Sequence, residues 1–138
     1  MRHRLLTLLL VLGIPLLGVG LAAPAIAQTG PTVDVTSGTL VARGAAVDLA
    51  VTASCELGFT GYLSLIVTQR SGNDIAKGSG GTSVPCTGEP QTVTVRAIAE
   101  AGVAPFRVGD AVVTGIFDTW DDYGFQPIGV NETIRIAR

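Results

Sequence analysis

Histidine is nearly missing from this chain, and the single copy, His3, stands at the very start. It falls in "MRHRLLTLLLVLGIPLLGVGLAAPAIA", which reads as a secretory signal peptide. Arg2 and Arg4 form a positive n-region, Leu5–Leu21 an apolar h-region, and Ala25 and Ala27 the small-residue pattern that signal peptidase accepts. Cleavage after Ala27 removes the only imidazole. A Ser-His-Asp relay, a Cys-His pair and a His-containing zinc site are then excluded. With only Cys55 and Cys86, an all-thiolate zinc site is excluded as well.

Charge is scarce too, at 14 % of residues, and the formal net charge is −2. Loss of Arg2 and Arg4 makes the remainder more acidic. Its basic residues are scattered from Arg43 to Arg138, and Lys77 is the one lysine left. Nucleic acid and anionic membranes are therefore not expected partners. Residues 28–138 suit one domain, secreted to the extracellular space and monomeric, with no membrane attachment after cleavage.

What is abundant is Val, Thr, Ile and Gly in period-two patterns. "VDLAVTASC" sets Val47, Leu49, Val51, Ala53 and Cys55 on one face, and "YLSLIVTQ" aligns Leu63, Leu65 and Val67. "QTVTVRA" does so with Val93, Val95 and Ala97, and "ETIRIAR" with Ile134 and Ile136. Such alternation marks half-buried antiparallel strands. Weaker strands lie near Val33–Val41, Asp74–Ser83 and Asp110–Phe117. About seven short strands separated by turn signals argue for an all-β, immunoglobulin-like antiparallel sandwich. In that arrangement the strand ending at Cys55 lies beside the one starting at Thr92, and Cys55 and Cys86 come close together. One structural disulfide is expected.

The stretch "FDTWDDYGF", Phe117–Phe125, gathers three aspartates, the only tryptophan and a tyrosine. If the last strand begins near Glu132, Asp118–Asn131 is a long loop. It would lie at the same end as "ELGFTG" and "PCTGEP", collecting Phe59, Trp120, Tyr123 and Phe125. Exposed aromatics with carboxylates beside them suit an extracellular protein or carbohydrate partner. A calcium site is the alternative, with Asp118, Asp121 and Asp122 as oxygen ligands, although Trp120 takes the middle position of the usual alternating pattern. A carboxylate-pair glycosidase needs a cleft that so small a domain has little room for. The reading is a non-catalytic binding module with no obligatory cofactor, not an enzyme. A surface or matrix protein without a discrete site is the third class.

"VTASCELGFTGYLSLIVTQRSG", "CTGEPQTVTV" and "FRVGDAVVTGIFD" together resemble a group of small secreted actinobacterial proteins with an immunoglobulin-like sandwich and one disulfide. The resemblance covers nearly all of residues 28–138 and implies that fold, with no assigned activity. Enediyne apoproteins of the neocarzinostatin type are similar in length and acidity. They carry two short-loop disulfides, so none of their ligand-site residues carries over to this chain.

Overall fold

The computed structural model describes residues 30–138; the signal-peptide reading of residues 1–27 lies outside them. Seven strands follow one another: β1 Thr32–Val41, β2 Ala46–Ser54, β3 Thr60–Ser71, β4 Asp74–Pro85, β5 Gln91–Ala99, β6 Gly109–Trp120 and β7 Phe125–Ala137. A single 3-10 turn, Ala42–Gly44, joins β1 to β2. The all-β class and the disulfide are present, with Cys55 and Cys86 bonded across a Cα–Cα distance of 4.8 Å.

The open sandwich is not. The strands close into a barrel in the order β1-β2-β5-β4-β3-β6-β7. β2 pairs with β5 antiparallel, Val51 opposite Val93, as the cysteine placement requires. Two short seams then bridge what would be the gaps between two sheets. β4 meets β5 at Gly78↔Ala99 and Ser79↔Ile98, and β1 meets β7 in parallel at Gly38↔Ile136 and Thr39↔Ala137.

Closure has a local cause at each seam. On β4, Gly78 and Gly80 turn inward with no side chain. A Cβ on Gly78 would lie 2.5 Å from the Ile98 carbonyl oxygen, and one on Gly80 only 2.0 Å from that of Arg96. β5 can approach only because those atoms are missing. At the other seam, a bulge between Val35 and Ser37 shifts the register of β1, and buried Gly38 sits against Ile134, Val47 and Ile136. Bulges bend a strand and increase its twist, which is what closure needs.

The interior is filled by the alternating residues. Leu49, Leu63, Leu65, Val47, Val51, Val67, Val95, Val113, Phe117 and Ile136 are fully buried. Phe106 enters from the connection between β5 and β6. Burying a Leu or Phe side chain contributes about 1.5–3 kcal/mol. This single core accounts for the ordering of every strand.

One further expectation is corrected. Asp118–Asn131 is not a loop. β6 runs on to Trp120, β7 begins at Phe125, and the two pair continuously from Trp120↔Phe125 to Gly109↔Ile136. Pro127 and Gly129 broke the sequence pattern. Pro127 is tolerated because β1 pairs only with the far end of β7, which leaves this half of β7 as an edge.

Candidate functional site

The connections β2–β3, β4–β5 and β6–β7 lie at one pole of the barrel, as the strand directions require. The disulfide ties the first two together, and Gly88 N–H donates to the Cys55 carbonyl at 3.0 Å. In the β4–β5 connection, Thr87, Glu89 and Gln91 bond to one another. The β2–β3 connection closes through Phe59 N–H to the Glu56 carbonyl at 3.1 Å.

The third connection is a tight four-residue turn, Asp121–Gly124. Asp121 Oδ1 accepts from the backbone N–H of Tyr123 at 2.9 Å and of Gly124 at 2.7 Å, while Asp121 N–H donates to the Gly124 carbonyl at 3.0 Å. An aspartate that bonds its own downstream backbone is a standard turn-forming device. Its effect here is to lift Tyr123 clear of the barrel, 95 % exposed.

Trp120 and Phe125 face each other across the hairpin on its outer side, 39 % and 61 % exposed. Trp120 does not cap the core, because Thr119 takes the inward position, buried and bonded to the Gln126 carbonyl at 3.0 Å. A shallow cavity of about 310 Å³ opens beside the turn, lined by Gly58, Thr60, Trp120, Asp121, Asp122 and Tyr123.

Of the four aromatics expected at this end, Trp120 and Tyr123 share the cavity. Phe125 stands across the hairpin from Trp120, and Phe59 is half-buried and outside the lining. Asp121 and Asp122 line the cavity, whereas Asp118 sits further down the outer face of β6, opposite Tyr62. Among the described residues no three His, Cys, Asp or Glu side chains are grouped to hold a metal ion. The calcium ligand set is thus not assembled, and one oxygen of Asp121 is already engaged by the turn.

Sequence reasoning missed two contributors. Leu57 is 75 % exposed at the tip. Its signal was an apolar residue placed in a turn, between Glu56 and Gly58. The second is an apolar strip on the outer faces of β3 and β6, where Tyr62, Ile66, Val112 and Ile116 are exposed. These residues alternate with the buried ones of β3 and β6, so the strand period by itself does not distinguish them from an ordinary solvent face.

The charge at this pole has one sign. Glu56, Glu89, Asp118, Asp121 and Asp122 lie in or beside the three connections, and no Lys or Arg occurs in 55–60, 85–91 or 118–127. The bidentate pair Arg96–Asp48, 2.7 Å for each bond, belongs to the middle of β2 and β5.

Comparison with known protein families, curated proteins and solved structures finds no match.

Proposed function

We propose that this protein is a secreted, non-catalytic binding module whose disulfide-braced tip docks a positively charged segment of an extracellular protein. The observation that carries the reading is Tyr123, held almost fully in solvent by the Asp121 turn, with Trp120 and Asp122 beside it. An ordered aromatic that buries nothing in its own fold is costly to expose and suits a partner's pocket. Carboxylates without basic neighbours select for Lys or Arg, by ion pairing and by cation–π contact with the rings. A protein partner is favoured over a sugar because apolar exposure continues from the tip along β3 and β6, beyond the reach of a single sugar ring.

Selecting displayed peptides against the oxidised protein tests this. Ligands rich in Lys or Arg should emerge, perturb the backbone resonances of residues 56–60 and 119–126, and weaken with added salt. Tyr123→Ala and Asp122→Asn should each reduce affinity by about tenfold or more. Ligands that bind elsewhere, or that ignore both substitutions, would defeat the reading.

A further inference from the structure

The opposite pole lies roughly 36 Å away along the twelve residues of β6. It carries a second, differently built cavity. About 410 Å³ in volume, it is lined by Arg43, Arg107 and Arg138 together with Leu40, Phe106 and Val108. No acidic residue lines it. Scattered along the sequence, these arginines meet only in the folded chain.

Their lack of partners is selective. Lys77 pairs with Glu100 at 3.1 Å, Arg96 with Asp48 at 2.7 Å and Arg135 with Asp110 at 3.4 Å. Arg70 Nε donates to the Gly72 carbonyl at 3.4 Å. Among the described residues, only Arg43, Arg107 and Arg138 have basic side chains without an ion pair or hydrogen bond, and all three line this cavity.

The backbone that carries them is held from inside the barrel. Gln69, only 3 % exposed, accepts the Arg107 N–H at 2.8 Å on Oε1 and donates Nε2 to the Arg107 carbonyl at 2.8 Å. Buried Ser71 donates to the Pro105 carbonyl at 3.1 Å. Phe106 N–H donates to the Gly44 carbonyl at 2.9 Å, and a Cβ on Gly44 would stand 2.2 Å from the Phe106 carbonyl oxygen. The β1–β2 and β5–β6 connections are thereby fastened to each other.

Arg43 itself sits in the left-handed region, φ 57°, next to Ala42 at φ 48°. Both are unfavourable for L-residues with a Cβ, and glycine would occupy the same geometry without strain. Strain retained at a cavity rim points to a role other than folding.

We propose that this cavity binds a small organic anion, a carboxylate or phosphate ester carried on an apolar body. Guanidinium groups grip such oxyanions through paired N–H donors. Leu40, Phe106 and Val108 take the apolar part, and the volume lies within the range of small-molecule sites. The site is independent of the tip.

The test titrates the folded, oxidised protein with phenyl phosphate and 4-phenylbutyrate, followed by amide resonances. Inorganic phosphate and benzyl alcohol serve as the charge-only and apolar-only probes. At least one of the two organic anions should bind saturably, shifting residues 40–44 and 106–108, at least tenfold tighter than either control. Arg107→Gln and Arg43→Gly should each weaken it by tenfold or more, and Tyr123→Ala should not. Because Arg43→Gly relieves strain, its thermal midpoint should equal or exceed the parent's, which separates lost binding from lost folding. Equal binding of a control probe, no binding of either organic anion, or undiminished binding by both arginine variants would overturn the proposal.

Discussion

Gln69 holds Arg107 by both of its backbone groups, through two hydrogen bonds of 2.8 Å made inside the barrel. A side-chain amide on β3 thereby does for the β5–β6 connection what a strand neighbour would do, pairing one N–H with one C=O. The consequence for stability follows from the cost of leaving partly buried polar groups unpaired.

Replacing Gln69 with Leu keeps most of the volume and removes both bonds. Each orphaned backbone group costs about 1–3 kcal/mol. Gln69→Leu should therefore destabilise the fold by about 2–4 kcal/mol in urea unfolding. A loss below about 0.5 kcal/mol, the size of an ordinary surface substitution, would mean that the connection is held by other contacts.

The disulfide closes a separation of 31 residues. Chain-entropy reasoning assigns such a loop about 3.7 kcal/mol. Cys55→Ala with Cys86→Ala should lower the unfolding free energy by about 2–5 kcal/mol. Amide exchange should quicken first at Thr87–Glu89, since the Gly88 to Cys55 bond depends on the same bracing. An unchanged denaturant midpoint would show that the bridge adds nothing to the barrel.

The β4–β5 seam should be intolerant of a single methyl group. At Gly80 that methyl would meet the Arg96 carbonyl at 2.0 Å, and backbone cannot yield as a flexible side chain can. Gly80→Ala should cost about 3 kcal/mol, the upper end of overpacking effects. Gly129→Ala on β7 is the control. Nothing lies within 4 Å of its added carbon, so its effect should stay within about 0.5 kcal/mol. Similar melting curves for the two variants would argue against closure at this seam.

Asp48 supplies a pH dependence of known sign. The paired hydrogen bonds from Arg96 hold its carboxyl below the ordinary aspartate range, with partial burial opposing them and the Arg96 charge assisting. A folded value below the unfolded one means that the unfolded chain binds the proton first. The stabilisation is present above the usual aspartate value. It is lost as pH falls through the lower, folded one, below about pH 4. In a titration followed by side-chain carboxyl resonances, the Asp48 midpoint should lie below the ordinary aspartate value. Arg96→Gln should raise it, and high salt should narrow the difference. An Asp48 midpoint that ignores Arg96→Gln would sink the assignment.

Much of this protein was legible before folding. Val47, Leu49 and Val51 declare their face by alternation, and the structure buries all three completely. The cysteines are the only two in the sequence, and β2 and β5, beside which they lie, are neighbours. Trp120 and Tyr123 were recognisable as tip residues. The Asp121 turn that aims Tyr123 outward was not, since Asp118–Asn131 read as one irregular loop. Ile128 and Val130 keep the alternation on β7, but Pro127 and Gly129 between and beside them hid it.

Alternation along each strand is a local property, and the sequence by itself determined about seven β-strands, the buried faces of β2, β3, β5 and the last part of β7, and one disulfide. Burial on one face says only that a strand covers a core. It does not say whether its outer strands meet their neighbours. Closure was decided in three dimensions, by how near β5 can come to Gly78 and Gly80 and where the bulge in β1 carries Gly38. The same long-range register brings Arg43, Arg107 and Arg138 to one cavity although 95 residues separate the first from the last. No spacing rule in a linear chain encodes that meeting, because it depends on which strand ends share a pole.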